Sequence, residues 1–365
     1  MRITTFLDHK TLMQQISLIR KTLQPHLDWH GARLTFLALF IVALFRTRTV
    51  NLSELAVAFV GKVQTQSHLK RLQRFFTSFE LDYLILAKLV AAWMAVPQPW
   101  TLSLDRTTWE FGGCCHNILM LGVVHKGVAF PLFWWMLDKK GSSNTSERID
   151  LLGEFFLAFP QVEVEDLCAD REFMGEEWFE YLLEHAKLPF RIRIRESDKL
   201  DDGHQCLKAK VVFANLQVGE QVVLSKPRKL WGHWLYIAAL RLETGELLIV
   251  VTNRQAKRAI ADYGKRWSIE TLFGCFKSRG FRLESTHLFD CERLSRLIAL
   301  LTIGLCWAFK TGEWLAEEKP IKVKRHGRKA QSIFRYGLDH LRRIMLNLEE
   351  RENELLQALH LLSST

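Results

Sequence analysis

Pro97-Gln-Pro-Trp-Thr-Leu-Ser-Leu-Asp105 is where the texture of the chain changes. The two prolines stop a helix and bias their predecessors toward extended backbone. After them, Trp100–Asp105 reads as an apolar strand closing on a carboxylate. Upstream, apolar residues recur at helical spacing in 12–23, 34–45, 52–60, 69–79 and 81–96, with Asn51 and Ser67 as N-caps. Downstream, strands are expected at 117–124 and 128–137, a helix at 147–159, a strand at 162–169, a helix at 172–186 and a strand at 190–195. That order implies an α/β layer with a partly antiparallel sheet. Strands return at 209–213, 220–224, 234–242 and 247–252. Helices are expected over 254–276, 294–309 and 332–362. This texture divides the chain into a helical region 1–96, an α/β region 97–310 with a β-rich insert at about 205–252, and a C-terminal part 311–365.

Among 365 residues, 50 are Lys or Arg and 40 are Asp or Glu, a net charge of +10. Apolar residues are 48%, a globular composition. The basic balance favours a polyanion such as nucleic acid, or an anionic surface. The longest apolar runs, 34–45 and 298–309, fall short of the roughly 20 residues that span a bilayer, so no membrane partner is expected. Seven cysteines without a Cys-x-x-Cys pair argue for a reducing compartment and against a zinc ribbon, so a cytoplasmic protein is expected. Lys70, Arg71 and Arg74 lie close together on one short helix that could enter a DNA groove; a solvated amphipathic face is the alternative. The linker 319–329 carries basic side chains at 322, 324, 325, 328 and 329, so Lys324 and Arg325 are candidate phosphate contacts.

The most informative stretch is Tyr263-Gly-Lys-Arg-Trp-Ser-Ile-Glu-Thr-Leu-Phe-Gly-Cys-Phe-Lys277. On a continuous helix of about 100° per residue, Tyr263, Arg266, Glu270 and Lys277 share one polar stripe about 21 Å long. A glutamate flanked by two cations and a phenol suits a metal-and-phosphate surface; local ion pairs on a solvated face would use the same spacing. One glutamate is a poor magnesium site. Asp105 and Asp170, the latter ending Glu165-Asp-Leu-Cys-Ala-Asp170, stand where apolar strands leave the sheet, the edge at which α/β folds bind ligands. With Glu270, they could hold two cations about 4 Å apart, activating a water or 3′-hydroxyl and stabilising the leaving oxygen.

Tyr-x2-Arg-x3-Glu-x6-Lys, with Ala169-Asp-Arg-Glu-Phe173, Lys277-Ser-Arg-Gly-Phe281, Glu284-Ser-Thr-His287 and Phe334-Arg-Tyr-Gly-Leu-Asp339, resembles the insertion-sequence-four (YREK) family of DDE transposases, the group of the transposon five and transposon ten transposases. The resemblance spans about 100–340. It implies a ribonuclease H-like catalytic core with the β-rich insertion between second Asp and Glu, preceded by an all-α DNA-binding domain and followed by C-terminal helices. It implies Asp105, Asp170 and Glu270 as catalytic metal ligands, with two Mg²⁺ for which Mn²⁺ could substitute. Tyr263, Arg266 and Lys277 would line the DNA phosphate. The implied partners are double-stranded DNA, as terminal inverted repeats and target, and a second copy pairing the two ends, in a prokaryotic nucleoid. In several members a Trp of the insertion stacks on a flipped base. Trp231 and Trp234 are the candidates here, and a core position is the alternative for each. A repurposed DNA-binding protein, or a nuclease that cuts without joining, would carry much of the same sequence.

Overall fold

The computed structural model describes residues 2–61, 63–325 and 327–363, and of residues 2–11 the backbone alone. Packing divides the chain into two units.

The first unit comprises Met1–Ala95, Trp109–His116 and Phe273–Thr365. Its N-terminal helices are α1 (Arg2–Leu23), α2 (Gly31–Thr47), α3 (Leu52–Ala58), α4 (Thr65–Ser78) and α5 (Tyr83–Met94). Asn51 caps α3 as expected, its side chain accepting from the Ser53 and Glu54 N–H. Ser67 is not a cap. α4 begins two residues earlier, and Gln64 at its N-cap makes no side-chain bond. Phe36 and Phe75 stack at 4.1 Å and seat α4 on α2. Helices from the other end of the chain join this unit, and Gln15 Nε2 donates to Leu348 O.

The second unit comprises Val96–Thr108 and Asn117–Leu272. In chain order its elements are β1 (Trp100–Phe111), β2 (Cys114–His125), β3 (Val128–Met136), α6 (Thr145–Ala158), β4 (Val164–Ala169), α7 (Glu176–Glu180, widening into a π-turn over Tyr181–His185), β5 (Phe190–Ile194), β6 (Lys199–Asp201), β7 (Cys206–Lys208), α8 (Ala209–Val212), β8 (Gln221–Val223), β9 (Arg228–Leu230), β10 (His233–Arg241), β11 (Leu247–Thr252), α9 (Ala259–Tyr263) and α10 (Trp267–Phe276). Three elements have their first or last residues assigned to the helical unit: β1, β2 and α10. The sheet order is β3-β2-β1-β4-β5-β11-β10-β9-β6-β7, with β8 on β10. β1, β4 and β5 run parallel, β2–β3 is an antiparallel hairpin, and β11 pairs antiparallel with β5. Lys126 and Gly127 turn the hairpin with φ of 45° and 83°, the two positive values that a right-twisted two-residue hairpin needs.

Several expectations need correction. The strand expected at 209–213 is a short helix, because the Ala209 and Lys210 amides donate to Asp198 O and Glu196 O and are lost to any strand partner. The helix expected from Glu172 begins at Glu176. Arg148 claims the carbonyls of Glu172 and Met174, and Gly175 at φ 137° is outside helical space. Asp105 does not end its strand; β1 continues to Phe111 and only its parallel pairing with β4 stops, at Leu104↔Ala169.

The C-terminal elements of the helical unit are α11 (Cys291–Glu318), α12 (Ile333–Leu346) and α13 (Glu352–Ser363). The single helix expected over 332–362 is thus two. α11 is much longer than its apolar run. It is long and apolar enough to cross a membrane, and 83% of its apolar window is buried within the fold, as in a core helix. α11 and α12 touch backbone to backbone. A Cβ on Gly337 would lie 1.8 Å from Ala308 O, and one on Gly312 would lie 2.0 Å from Ile333 O. Gly337→Ala is therefore expected to destabilise the helical unit by about 3 kcal/mol. Denaturant unfolding checks this, and an unchanged midpoint would contradict the close approach.

Candidate active site

The parallel register fixes the first two carboxylates. Leu104 and Ala169 are the last residues paired between β1 and β4, so Asp105, still on β1, and Asp170, just past the end of β4, are the next residues along neighbouring strands. The third comes from α10. Its approach depends on α9, whose Ala259 and Ile260 are buried against Ala238 and Val250 of the sheet, with Tyr263 in the same cluster.

The continuous helix expected over 254–276 is broken. 3₁₀ turns occupy Ala256–Arg258 and Gly264–Arg266, with Gly264, a poor helix former, at the second break. In a 3₁₀ turn, residues i and i+3 eclipse. Accordingly, the Arg266 guanidinium lies 5.6 Å from the Tyr263 ring centroid. Arg266 then reaches both sides of the cluster, with Nη1 3.2 Å from Asp105 Oδ2 and Nη2 2.6 Å from Glu270 Oε1. The Tyr263 hydroxyl donates to Asp170 Oδ1 at 3.3 Å. One guanidinium and one phenol thus bind all three expected carboxylates. Lys277 stands outside the helix that was to carry it. α10 ends at Phe276, and Lys277 Nζ pairs with Glu284 at 3.0 Å and lies 5.3 Å from the Trp109 ring, within the helical unit.

The electrostatics are those of a crowded acidic cluster. Burial pushes the Asp105 carboxyl up to about 7; the Arg106 amide and Arg266 oppose this, while Asp170 and Glu172 add to it. Burial raises the Tyr263 phenol above its ordinary value. Burial works against the charge on Arg266, yet Tyr263, Glu270 and Asp105 hold its pKa above the usual range. Among the described residues, no group of three or more His, Cys, Asp or Glu side chains is gathered to hold a metal ion. The donors themselves fit one: three carboxylates, one of them raised to about 7 chiefly by burial, suit a hard divalent cation.

Several residues that sequence reasoning passed over hold this site. Arg106 clasps Glu172 through Nε–Oε1 at 3.0 Å and Nη2–Oε2 at 2.9 Å, and its Nη1 donates to Asn117 at 2.9 Å. That bidentate pair ties the residue after Asp105 to the second residue after Asp170. Beneath α9, buried Arg191 bonds Thr252 at 2.6 Å and lies 3.5 Å from Asp262, which Lys265 also approaches at 3.3 Å. The available signal was charge: each aspartate is followed by an arginine, and Glu172 lies two places beyond the second.

The remaining expected contacts sit elsewhere. Trp231 packs on Phe179 at 5.5 Å, whereas Trp234 is 55% exposed. Trp267, not singled out from sequence, is 60% exposed, with Arg266 5.0 Å from its ring. On α4, Lys70 and Arg74 are exposed, but Arg71 turns inward, donating to Ala32 O at 3.4 Å and lying 5.7 Å from the Phe36 ring. Lys324 and Arg325 are exposed beside the Val323↔Lys329 bridge.

Residues 133–307 match the family described as transposase DDE domain. Asp170 and Glu270 fall inside the span, and Asp105 precedes it. Among solved structures, the chain is similar to the cryo-EM structure of the piggyBac transposase synaptic complex with hairpin DNA, with a TM-score of 0.49 and 12% identity over 98% of this chain and 84% of that one. No curated protein sequence matches it.

Proposed function

We propose that this chain is a DNA transposase of the YREK type. It binds the terminal inverted repeats of an insertion sequence, cuts the ends by metal-assisted hydrolysis and joins the freed 3′-hydroxyls to target DNA. The observation that carries the reading is the convergence of Asp105, Asp170 and Glu270 on the Tyr263–Arg266 pair, in a chain whose residues 133–307 match the transposase DDE domain family. The ribonuclease H-like description draws support from three parallel neighbours, β1, β4 and β5, beside the β2–β3 hairpin.

Asp105, Asp170 and Glu270 would hold the divalent ions, two Mg²⁺ or Mn²⁺, which supply a nucleophilic oxygen and stabilise the leaving one. The chain's own groups do the rest. Arg266 is a delocalised cation whose fork can turn from carboxylate to phosphate oxygens. Tyr263 holds Asp170 in place. The bidentate Arg106–Glu172 pair keeps the two aspartate-bearing segments together. End recognition falls to Lys70 and Arg74 of α4 and to Lys324 and Arg325, with Lys277 as a further phosphate contact. Trp234 is the insert tryptophan with an open face for stacking. A second copy pairs the two ends.

Incubation with Mg²⁺, labelled element ends and a plasmid tests the reading. Joined product is expected. Binding without cutting would favour a repurposed DNA-binding protein, and cutting without joining a nuclease.

A further inference from the structure

A cavity of about 400 Å³ opens in the sheet unit among Arg171, Arg193, Arg195, Lys208 and Lys210, with Glu196 and Glu246 as its two carboxylates. Three separate segments supply the cations: the turn after β4, the end of β5 with the residue following it, and the continuous stretch from the end of β7 into α8. The carboxylates offset only part of this charge. Glu246 is engaged by Arg193, and Glu196 accepts from the Leu247 N–H at 3.2 Å. Arg171, Lys208 and Lys210 have no ion pair among the described residues, and Arg193 Nε is buried without a hydrogen-bond partner.

Like charges gathered from three segments repel one another, and a fold tolerates that most readily where an anion completes the set. Two of its residues also link it to the carboxylate cluster. Arg171 directly follows Asp170, and the Arg193 charge acts on the Tyr263 phenol, which donates to Asp170.

We infer that this cavity is a phosphodiester-binding subsite, which takes the sugar–phosphate backbone of the DNA strand running past Asp170. It is separate from the contacts expected of Tyr263, Arg266 and Lys277. The inference rests on the DNA-acting reading above. The lysines supply point charges and the arginines forked donors, so backbone phosphates are bound irrespective of base sequence.

The test is the salt dependence of duplex binding, measured by fluorescence anisotropy for the full chain and for Lys208→Gln/Lys210→Gln, whose side chains are exposed and whose loss does not threaten folding. The log–log salt slope is expected to fall by about two, with affinity down about tenfold or more near physiological salt. A methylphosphonate scan along the strand should find a phosphate whose neutralisation weakens the parent protein but not the double variant. The charge-matched control is Lys187→Gln/Lys226→Gln, exposed in the same unit and outside the cavity. An unchanged slope in the double variant overturns the subsite while leaving the transposase reading intact. So does an equal fall in the control, which would assign the effect to overall charge. If the parent binds no DNA, yet tripolyphosphate raises its melting temperature and not that of the double variant, the cavity takes a small polyphosphate, and both the subsite as stated and the DNA reading fail.

Discussion

Asp170→Asn and Glu270→Gln are each expected to lose DNA-end cleavage by about a thousandfold or more while keeping end binding. The amides preserve shape and still offer an oxygen, so Tyr263 can donate to residue 170 and Arg266 to residue 270. What disappears is the negative charge that a hard divalent ion requires, and that electrostatic contribution is worth several kcal/mol, at about 1.4 kcal/mol per tenfold in rate. Binding should not suffer, since a carboxylate near phosphate is repulsive; affinity should hold or rise slightly. Single-turnover cleavage of labelled ends and a mobility shift on the same preparation separate the two effects. A variant that cleaves within tenfold of the parent removes that residue from the catalytic set. A variant that loses binding and cleavage together points to Asp170 or Glu270 as a structural partner of the Tyr263–Arg266 pair.

What could be read from sequence here was local chemistry; what could not was chain path. Asp105 and Asp170 were legible because each follows an apolar run, and parallel pairing through Leu104↔Ala169 makes them neighbours. The Tyr263, Arg266 and Glu270 spacing was legible too, although for an imperfect reason. A uniform helix would put all four side chains on one stripe, whereas a 3₁₀ turn at Gly264–Arg266 sets Arg266 under Tyr263, and Lys277 falls beyond the last turn. The short helix at Ala209–Val212 was hidden because its cause, amides donated to Glu196 and Asp198, lies more than ten residues away. The Arg106–Glu172 clasp was hidden for the same reason: 66 residues separate two charges whose meeting depends on strand order. Arg71 reads as an exposed cation until Phe36 and the Ala32 carbonyl are seen to occupy it.

The pH dependence of stability offers the second large effect, in chelator and without divalent ions. The Asp105 carboxyl is raised in the folded protein from 3.8 to about 7, chiefly by burial. For an acid raised on folding, the native state binds the proton more tightly than the unfolded chain does. Its contribution to stability is therefore fully present below about pH 4, and it is lost as pH rises from there through about 7. A difference of about three pH units corresponds to up to about 4 kcal/mol. Asp105→Asn removes the titration but keeps an oxygen that can accept from the Arg106 amide and Arg266. The variant should match the parent near pH 4 and be the more stable protein at pH 8, and the gap should open between those values. Adding Mg²⁺ at pH 8 should then narrow the gap, because a bound cation offsets the buried charge in the parent and has less to hold in the variant. Denaturant midpoints at four pH values, with chelator and with Mg²⁺, decide the matter. Parallel curves for the two proteins would show that Asp105 is already ionised at no cost, which would contradict its burial among Asp170, Glu172 and a single shared arginine.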